Sequence, residues 1–399
     1  MLTETHLHRY AEVLLWGLRT ARRGKFKKGD IVMVRHHMAA TRLAELLQAR
    51  LLELGLQPVI QLIPTHRMEK NLFDLGKNHQ LGFWPPGEDV LYHHLNGSIF
   101  LYAPASITHL SGTDPKKIAR HALSRKPLRD ILDRRDAAGL FGWTLCMLPT
   151  EELAQHAQLD FKTYTQQIVK ACRLNRNDPV GEWQEIYKQA QQVKKWLNSL
   201  PVQHFQVESA NLDLKITPGQ HRQWVGLSGH NIPSFELFTS PDWRGSEGIY
   251  FSNLPSYRSG NLVRDVRLKF KNGNVVDVKA AQGESFTKLQ LSMDRGAGRI
   301  GEFSLTDKRF SKINRFMANT LFDENFGGLH GNCHIALGSS YADTYAGDPT
   351  ELSHERKQEL GFNDSALHWD LVNTENKRVT ACLKGGRRQV IYENGLFGY

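Results

Sequence analysis

The chain of 399 residues is poor in cysteine: Cys146, Cys172, Cys333 and Cys382 stand far apart and form no C-x-x-C. That spacing argues against a disulfide framework or a cysteine zinc knuckle, and reduced thiols fit a cytoplasmic setting. Cys146, inside the apolar run "WTLCMLP", reads as a buried inert thiol. No apolar run reaches the ~18 residues needed to span a bilayer, so no membrane partner is expected. The opening segment "MLTETHLHRYAEVLLWGLRTARRG" reads as an amphipathic helix. It lacks the basic start, short apolar stretch and small-residue cleavage site of a secretory signal, so the expected compartment is the cytoplasm. No G-x-G-x-x-G follows the first expected strand, where the turn is "RHHMAAT", and no dinucleotide site is read there. The sequence also has no RNA-recognition signature, no arginine-rich tract and no H-E-x-x-H.

What is present describes an ordinary globular chain. Hydrophobic residues make up 40%, enough for a large core in one or two domains. The formal charge of +10 is unevenly spread. Residues 1–200 hold 28 of the 51 basic and 19 of the 41 acidic residues, net +9, which leaves net +1 for residues 201–399. Charge alone is weak evidence, so a solvated basic surface is the preferred reading over a nucleic-acid footprint.

The N-terminal half alternates strands with helices. "GDIVMVR" reads as a buried strand ending near Arg35. "TRLAELLQARLLELG" reads as a helix with Leu43, Leu46, Leu47, Leu51 and Leu54 on one stripe and Gly55 as its stop. "PVIQLIP", "SIFLYAP" and "WTLCMLP" are further strands, with a basic helix near "PKKIARHALSRKPLRDILDRR" before the last. Such alternation implies βαβ units and a parallel sheet. Residues 179–198 read as a long helix with Trp183, Ile186, Tyr187, Ala190, Val193 and Leu197 inward, ended by Pro201. Beyond it the period becomes two, in "FQVESANLDLKI" and "VRLKFKNGNVVDVKAA". The second of these contains the hairpin signal Asn272-Gly273. The expectation is an α/β N-terminal domain with a mostly parallel sheet over 1–200, a boundary near 199–203, and a β-rich α+β domain over 201–399.

The second half holds acids and imidazoles in apolar or turn-like settings. In "SALHWDLVN", His368 and Asp370 lie two apart on a strand, so they share a face while Trp369 and Leu371 point the other way. Glu236 in "NIPSFELFTSP" lies between Phe235 and Leu237, where an isolated charge needs a partner or a metal. Glu302 in "GRIGEFSL" is also beside an aromatic. "LFDENFGGLHGNCHIALG" supplies Glu324, His330 and His334, and Tyr341 follows. Each has a plain alternative. A strand Glu more often faces solvent or pairs with Arg, His334 alone suits a hydrogen-bonded core role, and His368 with Asp370 could be a structural pair. Tyr341 could simply pack its ring, and Asp323 could cap a turn. As a set they are the ligand types of Zn, Co or Mn sites. One ion could not use them all. Two divalent ions ~3.5–4 Å apart could share them, and the four carboxylates would balance two M²⁺ charges.

At these residues the chain resembles the thermophilic-type metallo-aminopeptidases, the aminopeptidase T and aminopeptidase S group. The likeness runs through "NIPSFELFTSP", "GRIGEFSL", "LFDEN", "HIALG" with its following Tyr, and "HWDLV". It extends to "DPKKIARHALSRKPLRDILDRR", "ACRLNRNDPVGEWQEI" and "AQQVKKWLNSL" in the first half and to "TSPDWRGSEGIYFSNLPSYRSGNLVRDVRLKFKNGNVVDVKA" in the second. The resemblance implies metal ligands at Glu236, Glu302, Glu324, His334, His368 and Asp370, with Glu302 and Tyr341 catalytic. It implies two divalent ions (Zn, Co or Mn), peptide substrates with a free N-terminus and hydrolysis of the first residue by a metal-bridged water. It also implies a homodimer in which the N-terminal domain helps enclose the site. The loop "FGGLHGNC" departs from the pattern by a few extra residues. His334 keeps the family's context, while His330 stands as a substitute or extra ligand and Cys333 as a soft ligand or a bystander.

Three rival readings stay open on the residues alone: a glycosidase using a carboxylate pair, a basic nucleic-acid-binding protein, and a metal-binding homologue without catalysis. The nucleic-acid reading predicts retention on a DNA or RNA column with a steep log–log salt slope. The preferred reading predicts elution at low salt without such a slope.

Overall fold

Val32, Met33 and Val34 are all buried in strand β1 (Ile31–His36), a run without polar alternation, as a strand covered on both faces requires. The computed structural model describes residues 1–399. β1 pairs in parallel with β2 (Gln57–Leu62) and β3 (Leu95–Tyr102). β3 pairs in parallel with β4 (Gly142–Met147). Helices Glu4–Ala21 and Thr41–Glu53 pack on this sheet. Met33 packs instead with Tyr92, Leu128 and Ile131, contributed by helices Glu88–His94 and Pro115–Ala137.

The chain divides into two compact units, Met1–Gln184 with Ser228–Ser234, and Glu185–Leu227 with Phe235–Tyr399. The division at Gln184 falls inside the helix Pro179–Ser199, upstream of the 199–203 region where the sequence changes texture. Composition marks where the strand period begins, and helix residues 185–199 carry no such mark. Parallel pairing with β4 also draws in β7 (Asn231–Ile232), so the first unit takes a fifth strand from well beyond residue 200. Two smaller expectations are corrected. Leu54 lies past the end of its helix and is 39% exposed, and Tyr187 is only half-buried.

The second unit is built on antiparallel pairing. Its larger sheet runs β13-β12-β9-β6-β5-β17-β18-β19, from β5 (Val202–Glu208), β6 (Asp213–Ile216), β9 (Glu247–Ser252), β12 (Val266–Lys271), β13 (Asn274–Lys279), β17 (Arg378–Leu383), β18 (Arg388–Glu393) and β19 (Leu396–Phe397). Between β12 and β13, Asn272 and Gly273 both take positive φ, 50° and 74°, the geometry of a tight two-residue hairpin. β10 (Ser256–Arg258) and β11 (Asn261–Val263) form a separate small hairpin. The smaller sheet runs β16-β15-β14-β8, from β8 (Glu236–Thr239), β14 (Ile300–Thr306), β15 (Asn332–Gly338) and β16 (His368–Asn373).

Period two divides the smaller sheet into two chemically distinct faces. One face carries Leu237, Phe303, Leu305, Ile335, Trp369 and Leu371, all buried. Phe303 meets Phe205 and Trp224 at ring separations of 5.9 and 5.8 Å. Tyr250 of β9 donates its hydroxyl to Leu371 O at 2.7 Å, and Tyr392 of β18 donates to Thr306 O at 2.7 Å. Aromatic side chains of the larger sheet thus fix the smaller one, leaving its other face for chemistry. Replacing Phe303, which is fully buried, with Ala should cost about 3–5 kcal/mol in chemical denaturation of the purified protein, and a loss under about 1 kcal/mol would contradict this packing role.

Candidate metal centre

The second face of the smaller sheet brings the acids together by register. Ala336 of β15 lies between Asp370 of β16 and Glu302 of β14, and His334 lies between Val372 and Ser304. The small Ala336 side chain leaves space above the sheet for its longer neighbours. Gly301 makes the approach before Glu302 feasible, since a Cβ there would meet Gly338 O and Ser339 O at 2.3 Å.

His334 is fully buried, and its Nε2 is the hub. It lies 3.1 Å from Glu302 Oε1, 3.3 Å from Glu236 Oε2 and 3.8 Å from Asp370 Oδ1. Glu236, Glu302 and His334 each offer a ligand atom within 4.8 Å of the other two. His368 Nε2 lies 3.5 Å from Asp370 Oδ1 and 3.8 Å from Glu302 Oε2. Its Nδ1 donates to Ser339 O at 3.1 Å, which fixes the tautomer that turns an unprotonated Nε2 toward the acids once the ring is neutral.

Glu324 is buried beside this group and is raised well above the usual carboxylate range, first by burial and then by the charge of Glu236. Asn325 orients it. Its Nδ2 donates to Glu324 Oε1 at 3.3 Å and to Leu321 O at 2.9 Å, while its Oδ1 accepts from Phe235 N at 2.5 Å. Tyr341 is 42% exposed, with its ring 4.9 Å from that of His368. Desolvation and then the facing charges of Glu302 and Asp370 hold its phenol well above the ordinary value, so it remains a donor.

The remaining sequence candidates fall elsewhere. Cys333 pairs with Leu305 and Asn373, on the face opposite His334, and burial pushes its thiol up to about 11. His330 lies in the turn before β15, where its carbonyl meets the Tyr392 hydroxyl at 3.5 Å, outside the ligand group. Asp323 caps its turn, accepting from Met317 N at 2.7 Å and Asn319 N at 2.9 Å. Sequence reasoning missed Ser304, whose hydroxyl donates to Glu236 Oε2 at 3.2 Å. It stands two residues after Glu302, and strand period alone placed it on the same face. It also missed Arg258, which donates to His368 O at 2.9 Å and Gln290 Oε1 at 3.2 Å; nothing in its hairpin sequence signals that contact.

The electrostatics show what this donor set requires. Burial, then Glu302, raises Glu236 to about 8. Burial opposes charge on the imidazoles, yet Glu302 raises His334 to about 9 and Asp370 raises His368 to about 9. Asp370, against the same burial, is held down to about 2 chiefly by His368. Three buried carboxylates with the half-buried Asp370 beside them cannot all remain charged together without compensation. Protons or cations must compensate them, and carboxylate with imidazole is a ligand set of divalent transition metals. The residues fit such an ion.

The profile of the thermophilic metalloprotease (M29) family matches residues 3–397. The chain belongs to that family. Aminopeptidase AmpS of Bacillus subtilis (strain 168) is 31% identical over 276 residues, 65% of this chain and 63% of that protein. Aminopeptidase T of Thermus aquaticus is 30% identical over 269 residues, covering 64% and 62%. These alignments therefore span less than two thirds of either relative's length. The solved structure of wild-type AmpT from Thermus thermophilus superposes with a TM-score of 0.80 over 98% of this chain and 99% of that one, at 21% identity, which shows a shared fold. Family membership implies divalent metal use, and the relatives carry aminopeptidase names.

The metal-free imidazoles and Glu236 hold protons at pH 7, because their pKa values lie near 9 and 8. Metal binding must displace those protons, so affinity should rise with pH toward about 9. Calorimetric titration with Zn²⁺ at pH 7 in two buffers of unlike ionisation enthalpy should give unlike heats, and equal heats would contradict the protonated cluster.

Proposed function

We propose that this chain is a metal-dependent aminopeptidase that removes the N-terminal residue of peptides, using two divalent ions drawn from Zn, Co or Mn. The observation that carries the reading is the buried group Glu236, Glu302 and His334 on one sheet face, in a chain matched almost end to end by a metalloprotease family. His368 and Asp370, next to that group, and Glu324, electrostatically coupled to it, complete the ligand set. Bound there, the ions supply Lewis acidity at the scissile carbonyl and a water of lowered pKa.

The protein's own groups carry the rest of the chemistry. Glu302 faces His334 with one oxygen and His368 with the other, which puts it centrally enough to take a proton from the attacking water and return it to the leaving amine. Tyr341, half out of the protein beside His368, donates a hydrogen bond to the developing oxyanion. A carboxylate of the cluster grips the substrate's α-ammonium, which confines cleavage to chain ends. Ser339 O and Asn325 hold His368 and Glu324 in orientation before substrate arrives. The same reading includes a homodimer and a cytoplasmic setting. No helix is long and apolar enough to cross a membrane.

Dialysis against a chelator should abolish hydrolysis of aminoacyl chromogenic substrates, and Zn²⁺, Co²⁺ or Mn²⁺ should restore it. N-acetylated controls should stay intact. Cleavage of the blocked substrates, or indifference to metal, would refute the proposal, and metal uptake without turnover would leave a binding protein only. Glu302→Gln should lower kcat by about 10²–10⁴ with an unchanged circular dichroism spectrum, and near-normal turnover would remove Glu302 from its role.

A further inference from the structure

Strand β16, which carries His368 and Asp370, is an edge strand of the smaller sheet. Ser339 N donates to Leu367 O at 2.8 Å, so Leu367 is a bonded position facing β15. Bonded positions alternate in an antiparallel ladder, which turns the carbonyls of His368 and Val372 outward to the open edge. Exposed edges need cover. The segment leading into the β10–β11 hairpin supplies it. Leu254 N donates to Val372 O at 3.3 Å, Ser256 Oγ accepts from Trp369 Nε1 at 3.1 Å, and Arg258 Nη1 donates to His368 O at 2.9 Å.

Arg258 brings a charge to this edge. It stands just before Ser259 and Gly260, whose φ values of 46° and 79° close the hairpin in a tight turn. Its Nε donates to Oε1 of the buried Gln290 at 3.2 Å, on the helix Glu284–Leu291. Its guanidinium carbon lies 5.5 Å from the centre of the Trp369 ring. One side chain thus ties hairpin, helix and strand together. Burial lowers the guanidinium to about 10, opposed by Asp370, and it stays charged at neutral pH. A charged donor makes the stronger hydrogen bond to a carbonyl. His368 is therefore held at two points, its ring by Ser339 O and its backbone by Arg258.

We propose that Arg258 is a positioning residue of the metal centre, holding the start of β16 so that His368 Nε2 stays aimed at an ion. The inference rests on the ligand role that the aminopeptidase reading gives His368. His334 and Glu302 need no such clamp, because β15 and β14 are paired on both sides. Arg258 therefore acts on the ion that His368 binds and spares the other.

Stepwise Zn²⁺ titration of chelator-stripped protein against a chromogenic chelator tests this without any turnover. Arg258→Met should weaken one of two ions by about 10–100-fold and leave the other within about threefold. Added to His368→Ala, it should weaken binding no further than about twofold, because it acts through that side chain. Gln290→Leu, which frees the second anchor of the guanidinium and keeps its charge, should shift the same ion by less, and it carries the test if Arg258→Met fails to fold by circular dichroism. Affinities within about twofold of wild type in the folded variants, equal weakening of both ions, or full additivity with His368→Ala would each overturn the role. If wild type binds two ions but hydrolyses no peptide, the aminopeptidase reading fails and the role of Arg258 stands. If His368→Ala leaves Zn²⁺ binding unchanged, His368 is no ligand and this inference falls.

Discussion

Glu236, Glu302 and the half-buried Asp370 crowd one sheet face, with the buried Glu324 against them from a neighbouring turn, and that concentration of negative charge is the constraint around which the second unit is arranged. In a site shielded from water their repulsion is strong, and only protons or cations relieve it. The elevated values of Glu236, His334 and His368 are the proton solution to that problem, and bound divalent metal is the alternative that this ligand chemistry fits. The opposite face supplies the rigidity that keeps the acids together. Phe303, Ile335 and Leu371 are locked against the larger sheet, and hydroxyls of Tyr250 and Tyr392 tie its backbone down. Strand alternation joins the two tasks: every second residue is core, and every residue between is available for chemistry.

Polar partners around the acids set direction rather than charge. Ser304 holds Glu236, Asn325 holds Glu324, and Ser339 O holds His368. Asn325 also receives Phe235 N, so the loop bearing one acid fixes the start of the strand bearing another. Such links keep ligand groups near their working geometry without an ion present.

Much of this was legible in the residues because it depends on local rules. Period two in "HWDLVN" put His368 and Asp370 on one face, and Asn272-Gly273 specified a hairpin, since each depends only on neighbouring residues. The same rule puts Cys333 opposite His334, a point that the unusual loop "FGGLHGNC" had obscured. What was not legible depends on contacts distant in sequence. β7 joins the first unit's sheet from beyond residue 200 because β4 offers a free edge, not because of any feature of "NI". Leu54 fits the apolar stripe of its helix, yet the helix ends before it and it stays exposed.

The most direct measurement is anomalous diffraction from crystals of this protein grown with Zn²⁺, recorded on both sides of the zinc absorption edge. Two strong peaks ~3.5–4 Å apart are expected, bounded by Glu236, Glu302, His334 and Asp370. A face without anomalous density, or zinc found only at surface histidines, would contradict it.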